Sequence, residues 1–318
     1  QVAPAVATGW RAIVRPAAVT PLSCIRFVEI LCEAGLPEEG CQVTVTGGRE
    51  VSQKLVTDER VGFFSFIGSA KVGWMLRSNL APGTRCALEH GGAAPVIVAP
   101  DAALDTVLPH LAKGGFYHAG QVCVSVQRIF AHESIARSVA EGIAGLAAKM
   151  PVGDPILATT EIGPLIRTKE CDRVAQWVRE AVDGGADTVL GGAKISHSCH
   201  EATVLYEPPA DAKVSQQEIF GPVVCVYPYV DIDEAIARAN ELPFAFQSAV
   251  CTQDIDVAMR CFRRLNASAV MVNDHTAFRV DWMPFAGLRH SGYNVGGIHH
   301  TMHDMQIEKM LIIRSPEL

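Results

Sequence analysis

Two apolar periods alternate along this chain of 318 residues, and that alternation constrains its fold more than any other feature. Residues 11–15, 42–46, 61–67, 85–90, 95–98 and 124–131 carry the two-residue period or short apolar run of strands. Helical spacing fills the gaps. One helix follows Thr20-Pro21, a capping threonine and a first-turn proline, and stops at Gly35. Others span 50–56, 69–80, 102–116 and 134–149. A breaker-rich linker, Met150-Pro-Val-Gly-Asp-Pro155, interrupts the pattern. It resumes with a helix over 170–184, a strand over 222–229 and a helix over 232–240, then strand, helix, strand over 246–252, 255–265 and 267–273. Residues 283–297 are rich in glycine and short of regular period; a helix over 301–309 and an apolar strand over 310–314 follow. Strands separated by helices at this spacing predict an α/β fold, a parallel sheet covered on both faces. The length suits two lobes.

Composition narrows the class. Net charge is −7, with 49% apolar and 19% charged residues. A substantial core can be buried, and no Lys/Arg stripe suits nucleic acid. No apolar run is long enough to span a bilayer, and residues 1–10 lack the pattern of a signal peptide. The ten cysteines form no CxxC pair and read as reduced thiols of a cytoplasmic protein. Because the chain begins at Gln1, a fragment or a processed product is expected.

Four stretches carry candidate chemistry. Gly120-Gln-Val-Cys123 puts a thiol at a loop-to-strand junction, rigidly held yet reachable; Cys123 also reads as one more small buried hydrophobe. Gly68-Ser69-x-x-x-Gly73 follows a strand and opens a helix. Phosphate can approach such a glycine backbone and the free helix amides, although tight strand–helix packing explains the glycines as well. Glu89 ends a strand before Gly91-Gly92. Desolvated there, its carboxylate has a raised pKa and can take a proton from water or a thiol; solvated, it does neither. Glu218-Ile-Phe-Gly-Pro222 precedes a strand and alone is an acidic turn. His299, His300 and His303, and His197 with Cys199 and His200, lack a matching cysteine set or an HExxH glutamate, so no metal is expected.

Together these stretches resemble the aldehyde dehydrogenase superfamily. The resemblance is carried by Phe66-Ile-Gly-Ser-Ala-Lys-Val-Gly73, Leu88-Glu-His-Gly-Gly92, Gly120-Gln-Val-Cys123 with Arg128, Glu218-Ile-Phe-Gly-Pro222 and Met283-Pro-Phe-Ala-Gly-Leu-Arg-His-Ser-Gly292, in family order along almost the whole chain. It implies a Rossmann-like cofactor domain over 1–89, incomplete at its N-terminus, and an α/β catalytic domain over 90–295. Residues 296–318 would return a helix to the cofactor domain and supply an oligomerisation strand. It implies Cys123 as nucleophile, giving a thiohemiacetal and, after hydride loss to NAD or NADP, a thioester. Glu89 would be the general base. Gly68 and Ser69 would meet the cofactor phosphates, Glu218 the nicotinamide ribose and Phe220 the nicotinamide. The Cys123 N–H would be half of an oxyanion hole.

The departures carry expectations of their own. The family's second oxyanion donor, an asparagine, would lie before Gln1, as would the first cofactor-domain strands and an oligomerisation hairpin; an exposed sheet edge is expected. Arg15-Pro16-Ala17-Ala18 stands where the family usually has Lys-Pro-x-Glu on the adenosine ribose. Arg15 can bind a hydroxyl or a phosphate, and without an acid at 18 NADP is less disfavoured. Ala93 replaces a family lysine, read as a neutral surface change. Asn273-Asp-His-Thr-Ala-Phe-Arg279-Val-Asp281-Trp-Met-Pro looks like the branch of lactaldehyde, non-phosphorylating glyceraldehyde-phosphate and phosphonoacetaldehyde dehydrogenases. It suggests that Arg279 or His275 faces a polar or anionic aldehyde; the alternative is that Arg279 pairs with Asp281 or a neighbouring carboxylate and orders the loop. The resemblance implies NAD(P)-dependent oxidation of a small aldehyde to a carboxylic acid by a homodimer or homotetramer, with no nucleic-acid or membrane partner. Acyl transfer to coenzyme A is a second reading, opposed by Glu89. A catalytically silent relative is a third, opposed by the presence of both Cys123 and Glu89.

Overall fold

In the computed structural model, which describes residues 1–317, two small sheets precede one large one. The first part of the chain forms α1 (Val2–Ala7), β1 (Ala12–Val14), α2 (Leu22–Glu33), β2 (Cys41–Val43), α3 (Arg49–Val56), β3 (Phe63–Ile67), α4 (Ala70–Arg77) and β4 (Arg85–Glu89). β1 pairs with β2 and β3 with β4, both parallel. Among the described residues β1 and β3 each keep an unpaired edge. The expected threonine cap of α2 does not form. Pro21 already has helical backbone angles, and Thr20 belongs to a preceding turn in which its N–H donates to the Ala17 carbonyl (3.2 Å).

The next part of the chain forms β5 (Ala94–Val98), α5 (Leu104–Phe116), β6 (Val126–His132), α6 (Glu133–Ala147), α7 (Thr168–Asp183), β7 (Asp187–Leu190), β8 (Thr203–Tyr206), α8 (Lys213–Gln216), β9 (Val223–Tyr229), α9 (Ile232–Asn240), β10 (Phe244–Ala245), β11 (Gln247–Cys251), α10 (Ile255–Arg264) and β12 (Ala269–Val272); all of these strands but β10 join the large sheet. Its order is β12-β11-β5-β6-β9-β8-β7, parallel except for β7. Consecutive residues Val96, Ile97 and Val98 are all buried, as are Ala249 and Val250, so both faces of the sheet are covered. Leu111, Val139 and Val174 from the helices join the same core. β7 and β8 are four residues each, too short for the pattern to register, although Thr203-Val-Leu-Tyr206 has strand composition.

The glycine-rich segment holds two-residue strands, β13 (Leu288–Arg289) and β14 (Gly292–Tyr293). β14 pairs antiparallel with β4, placing Gly292 opposite Glu89. The last helix, α11 (Ile298–Met305), packs near the N-terminus, where Trp10 Nε1–H donates to the Met305 carbonyl (2.7 Å). The strand expected over 310–314 is not formed. Met310, Leu311 and Ile312 are about four-fifths exposed; their apolar composition favours a strand, but among the described residues no strand pairs with them.

Candidate active site

β5, β6 and β9 are adjacent and parallel, so their N-terminal ends lie along one edge of the large sheet. The segments entering them carry Glu89, Cys123 and Glu218 respectively. Glu89 is also the last residue of β4, and its carbonyl accepts from the Gly68 N–H (3.1 Å). The site therefore sits at the carboxyl end of the smaller sheet, where α/β proteins bind ligands, and at the amino end of the larger one.

Cys123 lies in a turn closed by the Ser125 N–H donating to the Val122 carbonyl (3.0 Å). β6 consequently begins at Val126, two residues later than its apolar pattern predicts. Val124 is drawn out of the strand because its carbonyl accepts from the Thr276 hydroxyl (2.6 Å). Left-handed backbone at His118, Ala119 and Gly120 (φ 52, 55 and 67) leads into the turn. At Gly120 a β-carbon would lie 2.1 Å from the Gly221 carbonyl oxygen, so this glycine lets the Cys123 and Glu218 loops touch. Tyr117, Phe246 and Phe285 wall the thiol. Burial above all, then the negative charges of Glu218 and Glu89, push that thiol up to about 11; its own backbone N–H and Arg279 act the other way. At neutral pH it is protonated, so a base must activate it.

The two carboxylates are set by burial as well. Burial raises the Glu89 carboxyl, with Arg279 among the charges opposing it. Gly296 makes room for it: a β-carbon there would come within 2.3 Å of Glu89 Oε1. Burial pushes Glu218 up to about 7, against the Gly92 N–H that donates to its Oε1 (3.2 Å) and the charge of Arg173. A β-carbon on Gly91 would stand 1.6 Å from that oxygen. A carboxyl poised near neutrality is a mark of functional sites.

The other expected residues divide. Gly68 lies against Glu89, and its carbonyl accepts from His90 Nδ1–H (2.8 Å). Ser69 is the N-cap of α4 with its hydroxyl uncommitted to the helix. Phe220 holds a left-handed backbone (φ 47) and is 39% exposed. The charge of Arg279 acts to lower both the Cys123 thiol and the Glu89 carboxyl. It makes no ion pair with Asp281. Its Nη1 donates to the Val280 and Met283 carbonyls (3.0 and 2.9 Å), and its guanidinium stacks over Phe285. His275 is turned elsewhere: its ring lies 6.4 Å from that of His110 on α5, and its Nδ1 accepts from the Ala277 N–H. Arg15 is exposed beyond β1. A cleft of about 770 Å³ between α2, β2 and α3 contains none of these residues. Among the described residues no three His, Cys, Asp or Glu side chains converge as a metal site.

One expectation is corrected and one residue was missed. Ala93 is not a surface residue: it is 2% exposed, and its carbonyl accepts from the buried Arg128, which also donates to the carbonyls of Arg238 and Ala239. A longer side chain at 93 has no solvent to reach. The missed residue is Gln127, whose buried amide binds the backbone around Glu218. Its only sequence signal is a polar residue at an inward position of an apolar strand.

Residues 1–311 match the model of the aldehyde dehydrogenase family. The chain is 37% identical over 310 residues to 3-sulfolactaldehyde dehydrogenase of Priestia aryabhattai, covering 98% of this chain and 65% of that protein. Aldehyde dehydrogenase 21 of Physcomitrella patens, solved with the reaction product succinate, superposes with a TM-score of 0.94 at 35% identity, over 98% of this chain and 65% of that one. Glyceraldehyde-3-phosphate dehydrogenase GapN of Methanocaldococcus jannaschii, complexed with NADP, gives 0.91 at 34% identity, over 95% and 66%. The chain thus spans about 65% of the length of the relatives it matches.

Proposed function

The chain belongs to the aldehyde dehydrogenase family, and from that premise we propose that it oxidises an aldehyde to a carboxylic acid with NAD or NADP. One observation carries the reading: a half-buried thiol, Cys123, raised first by desolvation and then by the charges of two half-buried carboxylates from separate loops, Glu218 and Glu89. Glu89, raised by burial, is the base that takes a proton from the thiol or from water. The thiolate attacks the aldehyde carbonyl and gives a thiohemiacetal on Cys123, with the Cys123 N–H beside the developing oxyanion. When bound, NAD or NADP supplies the hydride acceptor that turns this adduct into a thioester. Water activated by Glu89 then releases the acid and restores the thiol.

Residues of this chain suit such a cofactor. The amides at the start of α4, with Gly68 and the free Ser69 hydroxyl, favour a phosphate. Glu218 can accept from a ribose hydroxyl, and Phe220 offers an exposed ring beside it. We read residues 1–89 as the cofactor lobe and 90–295 as the catalytic lobe. The substrate we favour is an anionic aldehyde, faced by Arg279. Three of the relatives carry names that fit, a sulfonated aldehyde, a phosphorylated aldehyde and a dicarboxylate product, while others are named for neutral lactaldehyde or cationic betaine aldehyde. Ten free cysteines suit a reducing cytoplasm, and the exposed apolar run from Met310 to Ile313 suits pairing with another copy.

The test is reduced-cofactor formation with NAD and NADP over neutral and anionic aldehydes. Turnover should be lost in Cys123→Ala. Turnover that survives in that variant, or none from the folded chain, contradicts the reading.

A further inference from the structure

We propose that Gln127 is the positioning residue of the Glu218 loop and ties it to the strand that follows the nucleophile; the inference rests on the reading of Glu218 as the ribose-binding carboxylate. Gln127 lies in β6, four residues after Cys123, and is 4% exposed. A buried amide must find partners, and this one finds all of them outside its own strand. Nε2 donates to the carbonyls of Val214 (3.1 Å) and Gln217 (2.7 Å), and Oε1 accepts from the Ile219 N–H (2.9 Å).

The Gln217 carbonyl and the Ile219 N–H belong to the two peptide groups that flank Glu218. One side chain therefore holds the backbone on both sides of the carboxylate. The next carbonyl, that of Ile219, is held from α7 by Arg173 Nη2 (2.7 Å). Beyond it Phe220 takes its left-handed conformation, and the Gly221 carbonyl comes to rest against Gly120. Around this clamp, among Gly92, Gly120, Gln127, Glu218 and Phe220, the free space is about 10 Å³, enough for one water at most.

The chemistry selects the residue type. The site needs two donor hydrogens and one acceptor on a neutral group. Glutamate has no donor and lysine has no acceptor, and each would bring a charge beside Glu218. β6 is itself fixed, because the neighbouring Arg128 is bound by three carbonyls. The nucleophile turn and the ribose carboxylate are thus registered on one strand.

The test compares this chain with Gln127→Leu, Gln127→Lys, Glu218→Gln and the double variants. Lysine keeps the donors for the Val214 and Gln217 carbonyls, so it supports folding where leucine fails. Two quantities are measured: amide hydrogen exchange over residues 214–222, and the Kd of NAD and NADP from intrinsic fluorescence. Exchange at residues 217–220 should quicken about tenfold or more in Gln127→Leu, and at Ile219 in Gln127→Lys. Cofactor Kd should rise about tenfold in Gln127→Leu, and by under about twofold when the same change is made in Glu218→Gln. Unchanged exchange, or losses that simply add in the double variant, overturns the inference. If Glu218→Gln itself leaves Kd unchanged, the ribose reading falls instead, and the exchange data still decide whether Gln127 holds the loop.

Discussion

Gly120→Ala probes the closest approach in the site. A β-carbon at residue 120 would stand 2.1 Å from the Gly221 carbonyl oxygen, and real contacts of this kind do not fall below 3.0 Å. The two loops must part by about 0.9 Å to reach even that limit. Both partners are backbone, so no side-chain rotation absorbs the clash. The left-handed backbone (φ 67) adds about 1 kcal/mol for any residue with a β-carbon. The neighbouring Ala119, already at φ 55, shows that this turn accepts such a cost, so the clash is the larger effect. Overpacking of this sort costs about 1–3 kcal/mol. The total is about 2–4 kcal/mol, which lowers Tm by about 4–16 °C in a chain of this size. Moving the Glu218–Phe220 segment by about 1 Å against the thiol should also slow turnover on the order of 10²-fold. Calorimetry and reduced-cofactor formation measure the two effects. A Tm shift under about 2 °C with turnover within about twofold of the parent would refute the argument.

Four further outcomes follow from the electrostatics of the site. Alkylation of Cys123 by iodoacetamide, without cofactor, should climb with pH towards about 11; a plateau below about pH 9, near the ordinary thiol value, contradicts the burial argument. Glu218→Gln removes one of the charges that raise the thiol and should speed alkylation at pH 8. The same substitution should alter stability with pH. The folded chain holds the Glu218 proton to about pH 7, while the ordinary glutamate releases it near 4.5. The folded state therefore has its full advantage below 4.5 and loses it as pH rises to 7, at a cost on the order of 3 kcal/mol. Denaturant unfolding should show Glu218→Gln gaining on the parent across that window and levelling above it; a gain that does not vary with pH contradicts the assignment. Arg279→Ala should lower kcat/KM for anionic aldehydes about tenfold relative to neutral ones, and an unchanged ratio removes Arg279 from substrate recognition.

Much of the fold was legible because buried parallel strands and amphipathic helices leave different periods. The strand expected over 95–98 forms as Ala94–Val98, and the helix Ile232–Asn240 stands where its pattern puts it. The failures have physical causes. Thr276 pulls Val124 from its strand through a contact 152 residues distant in sequence, which no local pattern records. β7 and β8, four residues each, are too short to show a period. Residues 310–314 have the composition of a strand, yet among the described residues no strand pairs with them. In the candidate site, Cys123, Glu89 and Glu218 each stood out through the motif around them, yet their convergence depends on the order of β5, β6 and β9, a property of the whole sheet. Gln127 was invisible for the opposite reason. Its partners are backbone groups, which any sequence supplies.

The central claim is a covalent intermediate on Cys123, and mass spectrometry of the intact chain after a single turnover tests it most directly. Glu89→Gln, mixed with cofactor and an anionic aldehyde and quenched in acid, should gain the mass of the aldehyde less two hydrogens. Digestion should place that mass on the peptide bearing Cys123, because solvent can still ionise the thiol slowly within one turnover, while hydrolysis of the thioester has lost the base that activates water. No adduct while reduced cofactor is produced, or an adduct on any other cysteine, would contradict the account.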